Sequence, residues 1–324
     1  MYKNISLADN VLIYLRKPLD FISTYKVLFT VSNWYDVLLF RAGIKKRVVL
    51  RPKGGIERGI RSRKEFVEFF NANPLISQAA VRRLRIKKER DGVTFVFGGR
   101  RLRLYAGSAL QQGNAVRLIR ENFSDEQYRM LNVKGKVVVD IGANVGDTAM
   151  YFALKGAKHV YAFEPFPYSY GLLCKNIKAN GFEGLITPVN EGCGGRPSYL
   201  DIPEDYESHG SSELKSFRKG RKVKVSSLSD VVERFRIKDA VLKMDCEGCE
   251  YGIVLDSDGK TLGSFSEMAI EAHHGYLNLE RKLRASGFTV ERSVPKLPIN
   301  VRTESNNMLL NVLHCVRGAG SDMP

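Results

Sequence analysis

The residues with the clearest capacity for chemistry begin at Asp140, in the segment DIGANVGDT. Three valines at 137–139 precede this aspartate, and such a β-branched run is typical of a buried parallel strand. Gly142 and Gly146 then form a tight loop that lets the backbone come close to a ligand. An apolar helix is predicted from Asp147 onward, and a helix N-terminus favours a negative group. The spacing therefore predicts a ligand-binding loop between a strand and a helix.

A second apolar strand, 159–163, follows this helix and ends at Glu164. This order of elements is that of a nucleotide-binding unit: a strand, a glycine loop, a helix and a second strand followed by an acidic residue. In such a unit the carboxylate accepts hydrogen bonds from both hydroxyls of a ribose. The loop departs from the dinucleotide pattern G-x-G-x-x-G, because Asn144 and Asp147 occupy the second and third glycine positions. No Lys-Ser or Lys-Thr pair follows the loop, which excludes a phosphate-cradling P-loop.

Because both phosphate-binding patterns fail, the loop D-x-G-x-N-x-G predicts S-adenosylmethionine as the ligand. This ligand carries no phosphate, and its amino group suits the carboxylate of Asp140. Asparagine tolerates a positive φ, so Asn144 can stand where a glycine is otherwise needed. A plain glycine turn of an α/β domain is the alternative, and the agreement of strand, loop, helix and distal acid argues against it.

A second polar motif, VLKMDCEGCEY, spans 241–251 and includes the end of a later apolar strand, 240–244. Together with DIGANVGD and FEP, it resembles the FkbM-family methyltransferases, whose later motif has the form K-x-D-x-E-G-x-E. The matching residues are Lys243, Asp245, Glu247, Gly248 and Glu250. The resemblance covers about 132–316. It implies S-adenosylmethionine-dependent methyl transfer, usually to oxygen, in a family whose substrates are too diverse to name an acceptor.

The resemblance also implies the fold class, which is α/β with the Rossmann-like class I methyltransferase architecture. Such a fold has a mostly parallel seven-stranded sheet with helices on both faces. We predict this methyltransferase domain at 132–317, after a basic N-terminal α+β extension at 1–131 and before a frayed tail at 318–324. Within the extension, Gly98-Gly99 between two alternating segments predicts a hairpin, and Arg101 and Arg103 should lie on its exposed face.

The acceptor hydroxyl of a sugar or alcohol is a weak nucleophile at neutral pH, so a nearby base is expected. Asp245 follows the fourth predicted strand, beside which the acceptor usually lies in the resembled fold. His273 and His274 follow the fifth strand, 267–272. We predict Asp245, His273 and His274 as the catalytic residues, although strand-end histidines without a catalytic duty are equally common.

The cofactor site is predicted from the first motif and from the ends of neighbouring strands. In the resembled fold, the loop that holds Asn190 and Glu191 lies beside the adenine, and a plain polar turn is an almost equal alternative. Glu247 orients its loop or touches the amino group of the methionine. The predicted cofactor-binding residues are Asp140, Gly142, Ala143, Asn144, Gly146, Asp147, Thr148, Glu164, Pro165, Asn190, Glu191 and Glu247.

The five cysteines are scattered and predict no disulfide framework, so a reducing cytoplasm is the expected compartment. Cys246 and Cys249 form one C-x-x-C pair, which cannot complete a tetrahedral zinc site. A carboxylate-bound divalent metal stays open as an alternative, but no ligand set for one stands out, and no metal is predicted. Lys26 and Asp36 interrupt the apolar stretch 21–40, which argues against a membrane span. Attachment to the periphery of a membrane remains compatible with this composition.

The net charge of +16 lies entirely in the N-terminal part of the chain. Residues 1–135 hold 27 lysines and arginines against 11 acidic residues, whereas 136–324 hold 24 of each. This asymmetry predicts an anionic partner, such as a nucleic acid, an acidic lipid surface or a phosphorylated glycan carrier, with a solvated basic surface as the plainer interpretation.

The leading functional hypothesis is O-methylation of a glycan, a lipid-linked saccharide or a small-molecule hydroxyl. The alternative is an RNA-binding protein or RNA methyltransferase that uses the basic region 1–135. A catalytically inactive scaffold is a third hypothesis, and the intact loop and acidic residues argue against it.

Overall fold

The computed structural model of the chain describes residues 4–9, 32–41, 43–51, 58–62, 83–106, 109–204, 206, 217, 219–293 and 311–318. Most of the predicted extension before residue 83 lies outside these ranges, as does the predicted tail beyond Gly318. None of the helices in the described ranges is long and apolar enough to cross a membrane.

The described elements alternate between strands and helices over most of 132–317, the predicted methyltransferase domain. The strands are β1 (Val48–Leu50), β2 (Arg58–Ile60), β3 (Lys87–Glu89), β4 (Gly92–Phe97), β5 (Arg100–Tyr105), β6 (Val137–Ile141), β7 (His159–Phe163), β8 (Ile186–Val189), β9 (Gly192–Gly194), β10 (Ser198–Ile202), β11 (Arg221–Ser227), β12 (Ala240–Met244), β13 (Phe265–Ala272), β14 (Phe288–Arg292) and β15 (Asn311–Arg317). The helices are α1 (Trp34–Arg41), α2 (Ala109–Ile119), α3 (Asp147–Leu154), α4 (Pro167–Ala179), α5 (Leu228–Arg234), α6 (Cys249–Asp256), α7 (Gly259–Leu262) and α8 (Leu277–Ala285).

Within the described residues, seven strands form one central sheet in the order β14-β15-β13-β12-β6-β7-β8. Strands β8, β7, β6, β12 and β13 are parallel, and β15 is antiparallel to both of its neighbours. The chain proceeds from β6 outward to β8 and then returns to β12 on the other side of β6. Ligands bind at such a switch point, beyond the carboxyl ends of the strands. The predicted class I methyltransferase fold is confirmed.

The two faces of the sheet bury alternate residues of each strand, as the pleat of a strand requires. Val138 and Ala162 contribute to one hydrophobic cluster, and Val139 and Phe163 contribute to the opposite one. The first cluster also contains Leu104 of the β4–β5 hairpin. Residues on both sides of the predicted boundary at 131 therefore share one core, and whether the part before it folds alone stays a prediction.

Asn176 of α4 and Asn180, which caps the C-terminus of this helix, cover the edge of the hairpin. The side chain of Asn176 accepts a hydrogen bond from the backbone N–H of Tyr105 at 2.7 Å, and Asn180 accepts one from Arg103 at 2.9 Å. Their amide nitrogens donate back to the carbonyls of the same two residues. These side chains satisfy the edge of β5 as a further strand would, so the hairpin is held against the methyltransferase domain.

The hairpin prediction is confirmed, because Gly98 and Gly99 turn the chain with φ of +55° and +78°. The predicted basic face is only partly present. The guanidinium of Arg103 lies 2.6 Å from Asp91 and 3.1 Å from Glu89, so its charge is balanced within the hairpin. Arg101 is exposed, as predicted.

Candidate active site

The loop between β6 and α3 has the backbone that its sequence predicts. Gly142, Asn144 and Gly146 all have positive φ, of +80°, +48° and +91°. A Cβ added to Gly142 would lie only 1.9 Å from the carbonyl oxygen of Asp245. Gly142 is therefore required because the loop after β12 runs directly against it, and the two motifs of the sequence meet at this point.

Glu164 anchors the far side of the same loop. One oxygen of its carboxylate accepts the backbone N–H of Asn144 at 2.8 Å, and the other accepts that of Phe166 at 3.0 Å. Burial raises the pKa of this carboxyl to about 7. Asn190 donates its amide to the carbonyls of Glu164 and Pro165 at 2.9 and 3.1 Å, which leaves its buried Oδ1 without a partner. The carboxylate of Glu164 and the unpaired Oδ1 of Asn190 therefore both lie beside the loop as hydrogen-bond acceptors.

Asp140 lies within β6, one residue before its end, and is fully buried. Thr148 donates its hydroxyl to Asp140 Oδ2 at 2.6 Å, and Lys243 Nζ lies 3.0 Å from Oδ1. Lys243 also donates to the carbonyl of Gly142 at 2.9 Å. A positively charged amino group of a ligand would therefore share the Asp140 carboxylate with Lys243. This lysine belongs to the second sequence motif, but the sequence alone assigned it no role.

Two other predicted cofactor-binding residues already have partners within the protein. The N–H of buried Ala143 donates to the carbonyl of Phe163 at 2.9 Å. Asp147 accepts the side-chain amide of Asn122 at 2.5 Å, and burial raises its pKa to about 6.

Glu191 is also committed within the protein. Arg234 contacts both of its oxygens, at 2.7 and 2.9 Å, and Ser226 donates to it at 2.7 Å. Its side chain can reach a cofactor only by giving up this pair, so the predicted adenine contact stays a prediction.

His273 is surrounded by three carboxylates at the carboxyl ends of β12 and β13. Its Nδ1 lies 2.8 Å from fully buried Glu250, which also accepts its backbone N–H at 3.1 Å. Its Nε2 faces Asp245 at 3.6 Å and Glu247 at 3.5 Å. Burial opposes a charge on this ring, but the hydrogen bond and charge of Glu250, with the charges of Asp245 and Glu247, raise the pKa of His273 to about 10. The structure therefore brings Asp245, Glu247 and His273 together.

His274 is oriented differently from its neighbour. Its backbone N–H donates to the hydroxyl of Tyr251 at 2.6 Å, and its ring packs against the Tyr251 ring with centroids 5.9 Å apart. The side chain is exposed, and its described contacts include none with Asp245. A role for His274 as the base stays a prediction, and the contacts with the acidic residues belong to His273.

The sequence alone missed two acidic residues of this site. Glu250 was part of the second motif, but its contact with His273 links residues 23 positions apart. Glu271 lies two residues before His273 and so on the same side of the strand, which period-two alternation could have indicated. Burial and the charge of Asp245 raise the pKa of Glu271 to about 8, and Gln127 donates to it at 3.1 Å.

A disulfide joins Cys246 and Cys249 across Glu247 and Gly248. The sequence predicted no disulfide framework, and this bond is a single local link within the loop after β12. The other cysteines, Cys174, Cys193 and Cys315, are free. Glu247 lies in the left-handed region with φ of +56°, and burial raises the pKa of its carboxyl to about 7. The loop that carries two of the predicted site residues is therefore closed on itself.

The S-adenosylmethionine-dependent class I methyltransferases are defined by a sheet of this strand order. They have an acid–glycine loop at the switch point of the sheet and a second acidic loop against it. Residues 140–290 match the family model described as Methyltransferase FkbM domain. This segment of the chain is therefore an FkbM methyltransferase domain, and the resemblance seen in the motifs is confirmed.

Comparisons with individual proteins are more distant. Protein arginine N-methyltransferase 1 of Oryza sativa subsp. indica is 33% identical over 70 residues, which cover 22% of this chain and only 17% of that protein. M. jannaschii TYW2 in complex with AdoMet is 18% identical with a TM-score of 0.38, over 72% of this chain and 89% of that one. M. capricolum TrmK in complex with S-adenosyl-homocysteine is 12% identical with a TM-score of 0.41, over 60% and 68%. None of these similarities identifies the acceptor of this chain.

The donor set fits S-adenosylmethionine, which is the cofactor of this class. The carboxylate of Glu164 would accept hydrogen bonds from the ribose hydroxyls, and the unpartnered Oδ1 of Asn190 suits an amino group such as that of adenine. The acidic residues at the ends of β6 and β12 favour the positive charges of the ligand. When bound, the cofactor supplies a methyl group on a positively charged sulfur.

Replacing Gly142 by alanine should destabilise the protein more than the same change at Gly135. Both glycines have φ near +75°, but the space around Gly135 is open, whereas a Cβ at Gly142 meets the Asp245 carbonyl. We expect a loss of about 1–2 kcal/mol for Gly135→Ala from the left-handed backbone alone. Gly142→Ala should lose a further ~1–3 kcal/mol from overpacking, measured by urea unfolding. Equal losses at the two positions would show that the two loops do not press against each other.

Affinity for S-adenosylhomocysteine should rise with pH through the titration of Glu164. Burial raises the pKa of this carboxyl to about 7 in the free protein, and only the ionised form accepts both ribose hydroxyls. Binding therefore releases a proton, and between pH 6 and pH 8 the affinity should increase by roughly tenfold before it levels off. Isothermal titration calorimetry of the wild type and Glu164→Gln measures this. An equally steep dependence in Glu164→Gln would assign the titration to another group.

Proposed function

We propose that this chain transfers the methyl group of S-adenosylmethionine to a hydroxyl oxygen of an uncharged acceptor, such as a glycan, a lipid-linked saccharide or a small molecule. The observation that supports this is the group of carboxylates around His273 at the ends of β12 and β13. A hydroxyl must lose its proton as it is methylated, and this group supplies the acceptors for that proton.

Asp245 is the residue that we assign as the base. Its side chain is 32% exposed, whereas that of His273 is only 2% exposed, so an incoming acceptor reaches Asp245 first. His273 is held by Glu250 through Nδ1 and is almost fully buried, so it positions Asp245 rather than taking the proton of the acceptor itself. Asp245 accepts the hydroxyl proton and later releases it to solvent.

The charge of the site favours a neutral acceptor over a phosphate-bearing one. Asp245, Glu247, Glu250 and Glu271 all lie close to His273, and each acts on another member of the group electrostatically. A phosphate near the reacting oxygen would lie against the carboxylate of Asp245, which carries a charge of the same sign. A neutral hydroxyl carries no such charge, which supports a saccharide or alcohol over the backbone of RNA.

Methyl transfer should be tested with radiolabelled S-adenosylmethionine and a panel of acceptors: saccharides, lipid-linked saccharides from the host, small polyols, total RNA and an arginine-rich peptide. We expect label in a methyl ether, identified by mass spectrometry. Asp245→Asn should lower turnover by roughly 10²–10⁴ with cofactor affinity near normal, because the base is lost. Label in RNA or on arginine nitrogen would replace the oxygen acceptor, and full turnover of Asp245→Asn would place the base elsewhere.

The basic N-terminal region supports a second proposal, which is an anionic partner that docks away from the reacting atoms. Lys87 and Arg101 are exposed on the sheet formed by β3, β4 and β5. Binding of the full chain to RNA, to phosphatidylserine vesicles and to a phosphorylated glycan should weaken steeply with salt. Arg101→Glu should weaken it at low salt, and Arg281→Glu on exposed α8 is the matched control. If both variants bind like the wild type, Arg101 is ordinary solvated surface.

A further inference from the structure

Three side chains at the end of the sheet offer ligand atoms to a common point. One carboxylate oxygen each of Asp245 and Glu247 and a ring nitrogen of His273 all lie within 4.8 Å of one another. We propose that these residues bind a divalent cation of the Mn²⁺ type, and that this cation holds the oxygen of the acceptor. The second half of this proposal rests on the proposed O-methyl transfer. The sequence alone predicted no metal.

The chemistry of the three ligands selects the ion. Two carboxylates and one imidazole form a mixed oxygen and nitrogen set, which suits Mn²⁺ and related divalent ions better than thiol-preferring ones. A metal with bonds of about 2.1 Å holds adjacent ligand atoms about 3 Å apart. His273 Nε2 lies 3.6 Å from Asp245 and 3.5 Å from Glu247, so these two pairs need to approach by only roughly half an ångström, and all three ligand atoms lie within 4.8 Å of one another.

The same distances argue against a simple ion pair. A protonated Nε2 would donate to one carboxylate at about 2.7–2.9 Å. Both carboxylates instead lie 3.5 Å or more from the nitrogen. Glu247 Oε2 is inaccessible to solvent and has no hydrogen-bond partner, which is costly for a buried carboxylate oxygen. A cation between these atoms would satisfy them together.

Glu250 lies where an outer carboxylate, one that contacts the metal-binding histidine but not the metal itself, would lie in such a site. Metal-binding histidines typically give the second ring N–H to a carboxylate, which orients the ring and fixes the ligating nitrogen. Glu250 is fully buried, lies 2.8 Å from Nδ1 and accepts the backbone N–H groups of His273 and Gly248. It therefore leaves Nε2 as the free nitrogen and directs it toward Asp245 and Glu247.

The members of the cluster differ in exposure: the side chain of His273 is 2% exposed, that of Glu247 18% and that of Asp245 32%. Glu247 is held in its left-handed conformation by the loop that Cys246 and Cys249 close, and His273 is buried behind it. Asp245 is the more exposed member, so coordination positions remain on its side for an acceptor oxygen. There the cation would lower the pKa of a bound hydroxyl. Asp245 would bind the cation through Oδ1 and accept the proton of the acceptor hydroxyl on Oδ2.

The test measures Mn²⁺ binding to purified, metal-free, full-length protein without cofactor or acceptor. Electron paramagnetic resonance should show one tightly bound ion per chain, with the disulfide left intact. Glu247→Gln and His273→Asn should weaken binding by more than tenfold, and Glu250→Gln by about 10–100-fold, the usual effect of losing an outer carboxylate. His314→Asn is the control, since His314 pairs with Glu267 at 2.7 Å elsewhere on the sheet. Circular dichroism confirms that each variant is folded.

Failure of this inference is distinguishable from failure of the proposed function. The cation site would be overturned if the protein does not bind Mn²⁺, or if Glu247→Gln binds it as tightly as the wild type. Glu247 lies on a loop, so this variant should fold. Either result would count against the cation site even if methyl transfer to oxygen proceeds. Once an acceptor is identified, chelation should abolish its methylation and Mn²⁺ should restore it. Bound Mn²⁺ with methylation that is indifferent to chelation would leave the site standing and overturn its role in holding the acceptor.

Discussion

A buried ion pair between Asp140 and Lys243 holds the centre of this protein together. The two residues are paired in register on adjacent parallel strands, β6 and β12, on either side of the point where the strand order reverses. Neither is accessible to solvent, and removing one partner of such a pair typically costs about 3–5 kcal/mol because a charge is left buried. Lys243 also holds the carbonyl of Gly142, so the pair places the glycine loop against the loop after β12.

The two loops lie together at one edge of the sheet. Gly142 abuts the backbone of Asp245, while Glu250 ties the loop after β12 to the end of β13. The cofactor contact and the acceptor contact that we propose on these two loops would therefore belong to one connected arrangement. Burial raises the pKa of Glu164 and Glu247, and a positive charge bound beside these carboxyls would favour their ionised forms.

The basic region before residue 136 contributes to this arrangement rather than standing apart from it. Asn122 donates to Asp147 at the start of α3, and Gln127 donates to Glu271 at the end of the sheet. The β4–β5 hairpin shares the hydrophobic core of one sheet face and is held at its edge by two asparagines. A partner bound to the exposed cations of this region would therefore act on a surface that is continuous with the methyltransferase domain.

Local patterns in the sequence determined the fold and the cofactor loop. Each of these signals is local in the sequence: a valine run, two glycines, an asparagine that tolerates positive φ and a distal acid. Each was found where it was predicted. Tertiary structure alone decided which charges meet. Glu250 with His273, Glu191 with Arg234 and Gln127 with Glu271 join residues 23, 43 and 144 positions apart. Propensity and periodicity act over a few residues, whereas these contacts depend on which strand ends the completed sheet brings side by side.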